Sequence, residues 1–178
     1  MIEPASAADL DLFIAYLNDH LADNGIDGLY FQPLERSASG VPPEMEEAFR
    51  TGLETPVGSL GWRRLWLARS PDRKILGHID LRSRPERFAE HRCLLAMGVD
   101  RDHRKSGLGT AMLSHAHRWA AESAKLEWID LQVLSANEPA IRLYTRAGFI
   151  KTGELPEMFR VDDQTLSYTS MSRCLATT

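Results

Sequence analysis

Apolar positions in the first part of the chain recur at helical spacing. Between residues 7 and 22, large apolar side chains occur every three or four residues, which places them on one face of a helix. Ser6 is the predicted N-cap of this helix, because a serine hydroxyl satisfies a free amide of the first turn. A second helix is predicted to begin at Pro42-Pro43-Glu44, because proline fits the first turn and glutamate suits the positive helix end. The side chains that this second helix would turn inward are Met45, Ala48, Phe49 and Leu53.

The middle of the chain changes to a strand pattern. Residues 64–69 and 75–81 are predicted to form a hairpin around the turn signal Ser70-Pro71-Asp72. The continuous apolar run at residues 93–99 predicts a central strand that is buried on both faces. A helix is predicted to follow it, from about residue 107 to residue 124.

The last third of the chain alternates between strand and helix signals. Residues 128–134 predict a strand, and residues 137–147 predict a short helix that is capped by Asn137 and ended by Gly148. Residues 149–151 and 166–174 are predicted to close the chain as two strands, with a turn at 162–164 between them. The order of the elements predicts a single α/β domain over residues 1–178, with a mixed, mostly antiparallel central sheet flanked by helices.

Composition narrows the classes of protein that this domain can belong to. The chain has 178 residues, 21 Lys and Arg and 25 Asp and Glu, and its net charge of −4 argues against a nucleic-acid coat or a polybasic membrane binder. No apolar run approaches the roughly 20 residues of a membrane helix, and the first residues lack the basic start of a secretory signal. Cys93 and Cys174 form no CxxC pair, so we expect neither a disulfide framework nor a metal site. We therefore expect a cytoplasmic protein with no nucleic-acid or membrane partner.

The most informative segment is the turn at residues 99–110, between the central strand and the long helix. Gly107 and Gly109 have no Cβ, so backbone amides at the start of the helix can approach a ligand closely. Free amides and the helix dipole favour an anion there, and residues 101–105 place three basic side chains against one acid. The turn is a candidate pyrophosphate cradle, and the alternative is a basic helix start without a ligand. Neither GxxxxGK[ST] nor the Rossmann fingerprint fits the segment.

Two segments resemble a known family. Arg104-Lys105-Ser106-Gly107-Leu108-Gly109 resembles the R-x-x-G-x-G acetyl-CoA signature of the GCN5-related N-acetyltransferase (GNAT) family. Residues 137–149, NEPAIRLYTRAGF, resemble the second signature of that family, N-x-x-A-x-x-L-Y-x-x-x-G-F. The resemblance covers about residues 94–150 and implies an acyl-CoA N-acyltransferase-like fold. It also implies transfer of an acetyl group from acetyl-CoA to the primary amine of a small molecule or peptide, by direct attack in a ternary complex.

The resemblance further implies how the cosubstrate is held. Main-chain amides of the turn would hold the CoA pyrophosphate, and the pantetheine would pair with the opened edge of the central strand. By position, the residues concerned are Met97, Gly98, Val99, Arg104, Lys105, Ser106, Gly107, Leu108, Gly109 and Thr110. Gly98 in a strand interior is consistent with a bulge or with a close approach of the backbone. A main-chain amide near Met97 would polarise the thioester carbonyl.

Three residues of the second signature have two interpretations each. Tyr144 corresponds to the tyrosine that protonates the departing CoA thiolate, or it is a core aromatic residue. Asn137 contacts the pantetheine, or it only caps the short helix. Arg146 reaches a CoA phosphate, or it lies in solvent.

The sequence departs from the family pattern at the position of a base. Many relatives have a glutamate in the strand before the asparagine, whereas this chain has Gln132, and an amide cannot act as a base. This weakens the interpretation as a protein N-terminal acetyltransferase. The candidates elsewhere are His78 with Asp80, which share a strand face, and His91 with Glu90. A water chain or an acceptor amine of low pKa would need no dedicated base.

The acceptor side is predicted only in outline. Tyr30, Phe31, Met45 and Phe49 line an acceptor pocket or belong to the core. Acidic residues around the second helix suit a cationic amine or form a solvated face; they are Glu35, Glu44, Glu46, Glu47 and Glu54. The predicted function is an acetyl-CoA-dependent N-acetyltransferase. The alternatives are a non-catalytic acyl-CoA-binding or regulatory module and an interaction domain without a cofactor. The oligomeric state is open, and a homodimer is the commonest assembly among soluble oligomers.

Overall fold

The computed structural model describes residues 1–38 and 40–175, and within them it has seven strands and four α-helices. The strands are β1 (Ile2–Pro4), β2 (Arg63–Arg69), β3 (Ile75–Ser83), β4 (Arg92–Val99), β5 (Trp128–Leu134), β6 (Ile150–Val161) and β7 (Gln164–Cys174). The helices are α1 (Leu10–Leu21), α2 (Pro43–Glu54), α3 (Leu108–Arg118) and α4 (Glu138–Arg146). A π-helical turn, Trp119–Ser123, extends α3.

The strands form one mixed sheet in the order β1-β2-β3-β4-β5-β7-β6. Every neighbouring pair is antiparallel except β4 and β5, which are parallel. The parallel pair is joined only where residues 92–94 face residues 128–130, although β4 continues to Val99 and β5 to Leu134. Beyond this short ladder the two strands separate, so the last half of β4 has β3 on one side and an open edge on the other.

Helices cover the sheet on both faces. On one face, α3 and α4 bury an apolar cluster against the central strands, with Met112, Leu113 and Tyr144 among its members. On the other face, α1 and α2 bury Phe13 and Phe49 against β2. The helices in the described ranges are all too short or too polar to cross a bilayer. The α/β fold with a mixed, mostly antiparallel sheet is therefore confirmed.

The two N-terminal helices lie where the sequence predicts, with one difference in their packing. The Asp9 carboxylate accepts from the Ser6 amide and hydroxyl at 2.9 and 2.8 Å, so Ser6 does mark the start of the first helical segment. In α2, Phe49 is buried as predicted, but Met45 and Ala48 are exposed. The reason is a close approach of the helix backbone to the sheet at Gly52, which limits the contact to a narrow stripe.

The prediction that the central strand is buried on both faces is wrong. Leu94, Ala96, Met97 and Val99 are only half-buried, because β4 loses its neighbour β5 after residue 94. The bulge considered for Gly98 is also absent from the β3 side, where the register runs without interruption over residues 93–99. The close approach of two histidine side chains explains the glycine instead, since a Cβ at residue 98 would lie 2.7 Å from His78 Cε1 and 2.8 Å from His20 Nε2.

The closing hairpin is larger than its sequence signal. Residues 149–151 predict only the start of β6, which runs for 12 residues to Val161, and the short strand β1 carries no predicted signal. Because β6 lies at the sheet edge with nearly every residue exposed, its sequence shows no alternation of apolar and polar positions. The predicted turn at residues 162–164 is confirmed, and Asp162 in it has φ 50°.

Replacing Gly98 with alanine is expected to lower the free energy of unfolding by about 1–3 kcal/mol, because the new methyl group overlaps two buried imidazole rings. The measurement is urea denaturation at pH 7. Gly153→Ala on β6 is the matched control, since nothing lies within 4 Å of a Cβ at that position. Equal stability of the two variants would contradict the packing described for β4.

Candidate active site

The end of β4, the glycine turn that follows it and the more distant helix α4 meet at the open end of the separated strands. Gly109 on α3 is their meeting point. A Cβ there would lie 3.0 Å from Leu143 Cδ2 on α4, and 3.5 and 3.8 Å from the Met97 and Val99 side chains on β4. The structure therefore brings the glycine turn, the end of β4 and the helix of Tyr144 into one place.

The turn before α3 presents free backbone amides. Gly107 is the N-cap of α3 with φ 86°, a left-handed conformation that favours glycine. The first helical hydrogen bond joins the Ala111 amide to the Gly107 carbonyl at 3.1 Å. The amides of Leu108, Gly109 and Thr110 precede that bond and so lack a partner within the helix. Because free amides at a helix N-terminus favour anions, this turn remains a candidate anion-binding cradle.

The basic residues of the turn divide into bound and available groups. Arg101 is held by two acidic residues of α1 and its C-terminal end, 2.8 Å from Asp19 and 3.1 Å from Asp23. Arg104 donates to the Val99 carbonyl at 3.3 Å and lies 3.6 Å from Asp23, but its side chain remains about half exposed. Lys105 is exposed and has no ion pair within residues 1–38 and 40–175. Arg104 and Lys105 are thus the cations that an anion in the cradle would meet.

Tyr144 lies on the capped helix α4, where its ring is buried and packs edge-on against Phe149. The Asn137 side chain accepts from the Ala140 amide at 3.3 Å, and Gly148 ends the helix with φ 85°, as predicted. Burial raises the pKa of Tyr144, which keeps its phenol protonated at neutral pH. The hydroxyl makes no hydrogen bond to any described residue. Arg146, near the end of α4, is exposed.

A cluster of aromatic and histidine rings lies on the other face of β4, beside Gly98. The His20 ring is 6.0 Å from His78, 6.1 Å from Tyr16 and 5.0 Å from Phe31, measured between centroids. The sequence analysis missed His20. Its signal was present, because His20 follows Leu17 by three residues and so continues the apolar stripe of α1.

The imidazoles of this cluster are uncharged at neutral pH. Burial lowers the pKa of His78 to about 3, and the neighbouring His20 adds to the effect. Burial also lowers the pKa of His20, and the Arg104 charge acts in the same direction. The Tyr16 hydroxyl and His78 Nδ1 are buried without a hydrogen-bond partner. The cluster thus holds two neutral imidazoles next to buried polar atoms that have no hydrogen-bond partner.

The other candidate bases are occupied or distant. Asp80 shares a face with His78 as predicted, but its Oδ1 atom lies 3.2 Å from Arg82 and 3.5 Å from Arg63. His91 and Glu90 are exposed and precede β4, so they lie about 26–30 Å along the strand from Val99, where the glycine turn begins. The structure therefore does not bring this last pair to the site.

Of the residues predicted to line an acceptor pocket, two lie near the histidine cluster and two do not. Phe31 packs on His20, and the Tyr30 hydroxyl donates to Asp162 at 2.5 Å, so the loop between α1 and α2 reaches the site. Phe49 belongs to the core and Met45 is exposed on α2. Gln132 is exposed on the part of β5 that has left β4.

A family model described as the acetyltransferase (GNAT) family matches residues 34–149. The chain belongs to the GNAT family. The match spans both signature segments and confirms the family that they indicate. GNAT enzymes use acetyl-CoA as cosubstrate, and the free amides, the glycines and the open β4 edge of this chain fit such a molecule. No group of metal-ligating side chains occurs among the described residues.

Curated GNAT relatives match part of the chain. It is 32% identical over 77 residues to N-alpha-acetyltransferase 60 of Drosophila melanogaster, covering 42% of this chain and 28% of the relative. It is 26% identical over 106 residues to the N-terminal acetyltransferase A complex catalytic subunit NAA10 of Arabidopsis thaliana, covering 59% of this chain and 55% of the relative. The chain thus spans only about a quarter and about half of the length of these two proteins.

Solved GNAT structures match the fold over nearly the whole chain. An acetyltransferase of the GNAT family from Streptococcus pneumoniae has a TM-score of 0.80 at 22% identity, covering 99% of each chain. Ribosomal-protein-alanine N-acetyltransferase from Brucella melitensis has a TM-score of 0.78 at 19% identity, covering 98% of this chain and 99% of the other. A spermidine N-acetyltransferase SpeG chimera from Vibrio cholerae and hSSAT has a TM-score of 0.74 at 19% identity, covering 98% of this chain and 95% of the other. At these identities the likeness concerns the fold.

Proposed function

We propose that this chain is an acetyl-CoA-dependent N-acetyltransferase that acetylates a primary amine by direct attack in a ternary complex. One observation carries the proposal: the free-amide turn, the open edge of β4 and the helix of Tyr144 converge at Gly109. Acetyl-CoA supplies an activated acetyl thioester when it is bound. The curated relatives, which are N-acetyltransferases by name, support the same activity.

The residues of the turn and of β4 would hold the cosubstrate. Amides of the turn bind the pyrophosphate, and the exposed edge of β4 pairs with the pantetheine. The Met97 amide orients the thioester carbonyl, and Asn137 and Arg146 contribute side-chain contacts. The full set is Met97, Gly98, Val99, Arg104, Lys105, Ser106, Gly107, Leu108, Gly109, Thr110, Asn137 and Arg146.

Two proton transfers complete the proposal, with Tyr144 on the sheet face of α3 and α4 and His20 on the face of α1. Tyr144 donates its phenolic proton to the departing thiolate, a role supported by its place in the second signature and by a hydroxyl that has no hydrogen-bond partner among the described residues. His20 Nε2 accepts the proton that the acceptor ammonium loses, since the ring is neutral and lies against Gly98. His78 packs against His20 and acts as a positioning residue.

Direct transfer is supported by the state of the two cysteines. Burial raises the pKa of the Cys93 thiol, so this residue does not supply a thiolate at neutral pH. Cys174 is exposed at the end of β7, which pairs at that position with the start of β5, away from the open cleft. Neither cysteine is therefore a nucleophile for a covalent acetyl intermediate.

Acetyl-CoA at about one hundred times its Kd is expected to raise the free energy of unfolding by about 2.7 kcal/mol, through mass action on the folded state. Gly109→Val is expected to abolish this gain, because the added side chain meets Leu143 and fills the cradle. Gly153→Val is the matched control on the exposed strand β6 and retains the gain. The measurement is urea denaturation with and without ligand. No gain in the unsubstituted chain would contradict the proposal.

A non-catalytic acyl-CoA-binding module is the second candidate, and Gln132 favours it, because an amide cannot deprotonate an amine. The two candidates differ in thiol release. An enzyme releases free CoA when amines are added, whereas a binding module shows only the gain in stability. Cytoplasmic location, the lack of nucleic-acid and membrane partners, and a homodimeric state remain predictions.

A further inference from the structure

Arginines gather at the closed end of the separated strands, on the sheet face that carries α1 and α2. Arg82 faces Leu94 in the ladder of β3 and β4, which is the last position where β4 still pairs with β5. Arg63 lies beside it on β2, and Arg84 and Arg92 lie further toward the closed end.

Two of these arginines are fully committed to carboxylates. Arg92 donates to both oxygens of Asp130 at 2.8 and 2.5 Å. Arg84 donates to Asp130 at 2.9 Å and to both oxygens of Glu86 at 3.0 and 2.8 Å. Two positive charges meet two negative charges here, so this group is neutral and structural.

The other two arginines share a single carboxylate oxygen. Arg63 and Arg82 lie 3.5 and 3.2 Å from Asp80 Oδ1. The Arg63 side chain is mostly buried, with its guanidinium 3.9 Å from the centre of the Phe49 ring. Arg82 is 33% exposed and makes one hydrogen bond within the described part of the chain, although a guanidinium has five N–H donors. One positive charge is therefore in surplus, and Arg82 presents it.

Arg82 lies on the same sheet face as the proposed base, His20, and its neighbour His78. Asp80 faces Ala96 and His78 faces Gly98, so Arg82 lies on the same strand face as the histidine cluster, four residues away. Four residues of strand span about 13 Å, and the Arg82 side chain extends toward Asp80, which shortens the gap to the length of a small molecule. The sheet surface between Arg82 and the histidine cluster is not fully covered by other residues, because Ala96 on β4 is half-buried and Gln132 on β5 is exposed.

The surrounding segments favour a small acceptor. Asp162 in the β6–β7 turn accepts from the Tyr30 hydroxyl at 2.5 Å and from the Arg36 amide at 3.3 Å. Behind this contact, an apolar cluster joins the same two segments over Leu134; its members include Tyr30, Phe159, Val161, Leu166 and Tyr168. The α1–α2 loop and the β6–β7 hairpin thus meet above one end of this sheet surface and restrict the space for a polypeptide.

We propose that the acceptor is an amino acid whose carboxylate binds Arg82 while its amine faces His20. This inference rests on the proposed acetyltransferase function. A guanidinium fork matches a carboxylate in shape and charge, and the half-buried position of Arg82 strengthens the pair. The same charge disfavours a polyamine, whose cations would meet Arg82 without a compensating anion. The glutamates of α2 do not change this, because they lie at exposed or half-exposed positions of the helix.

Matched acceptors test the inference. The free L-amino acids are assayed by thiol release against their own primary amides, which keep the amine and lose the carboxylate. We expect a preferred amino acid with a kcat/KM at least about tenfold above that of its amide. Arg82→Gln is expected to lower kcat/KM for the acid by about 10- to 100-fold, mostly through KM, and to leave the amide nearly unchanged. Arg82→Lys keeps the charge and falls between.

Binding and control variants separate a recognition role from a structural one. Calorimetry of the preferred amino acid with the CoA-loaded chain is expected to show a weaker Kd for Arg82→Gln by the same factor. Arg142→Gln on the exposed face of α4 is the control and keeps both values. An equal loss for acid and amide in Arg82→Gln would overturn the inference, and so would a preference for amides, peptides or polyamines. Absence of acetyl-CoA binding would instead overturn the proposed function itself, and the inference with it.

Discussion

Tyr144→Phe is expected to lower kcat by about 100-fold or more, because loss of a positioned general acid removes catalysis of that order. The Kd for acetyl-CoA should stay unchanged, since the cradle amides belong to other residues. The free energy of unfolding should also stay unchanged or rise slightly. The reason is that the deleted hydroxyl has no partner among the described residues, so its removal leaves no donor or acceptor unsatisfied. Steady-state kinetics, calorimetry and urea denaturation measure these three quantities.

The combination of results separates the two interpretations of Tyr144. If Tyr144 is only a core aromatic residue, the substitution changes the stability of the protein or has no effect. If Tyr144 is the proton donor, the substitution lowers turnover alone. Thr145→Val changes the exposed neighbour on α4 and is the matched control, with kcat expected within about twofold of the unsubstituted chain. An unchanged kcat in Tyr144→Phe would assign the leaving-group proton to solvent and contradict the proposed role.

His20→Gln is expected to lower kcat/KM by about 100-fold at pH 7, because glutamine cannot accept the proton of the acceptor ammonium. The pH profile carries the sharper test. The base must be neutral, and burial and then the Arg104 charge lower the pKa of His20 below its usual 6.5. In the unsubstituted chain kcat/KM should therefore fall as the pH drops through that lowered pKa. In the variant this acidic limb should disappear, leaving only the ionisation of the acceptor amine.

The surroundings of His20 determine the pH at which the acidic limb of kcat/KM falls. The groups that act on it from neighbouring elements are Asp23, His78, Asp100, Arg101 and Arg104. Burial is the largest of these effects, so the limb should move little with ionic strength. A shift of the limb above pH 6.5 would contradict the burial described for this ring.

A neutral acceptor provides an independent check on His20. A hydrazide, whose nitrogen is already uncharged at pH 7, should lose far less activity in His20→Gln than an ordinary amine does. His91→Gln is the matched control, because His91 is exposed and far from the glycine turn. Equal losses with both acceptors would assign His20 a structural role and would return the base to a water chain.

Local signals account for most of the secondary structure. The α1 stripe, the Ser70–Asp72 turn and the Asn137 cap were each predicted from a few neighbouring residues, and the structure confirms them. The failures have a common cause. Burial of β4 on both faces was expected from an apolar run, but the departure of β5 leaves one edge open. The full length of β6 is not predicted, because an exposed edge strand needs no alternation of apolar and polar residues.

The sequence by itself determined the family and predicted the cradle, because both depend on short-range chemistry. The R-x-x-G-x-G and N-x-x-A-x-x-L-Y segments each fold within one turn and one helix, so their residues act together wherever the chain places them. Only the tertiary structure decided which other groups join them. His20 meets Gly98, and Arg82 keeps an unmatched charge, through contacts between elements far apart in the chain. Burial and charge balance are sums over such distant neighbours, and no local pattern contains them.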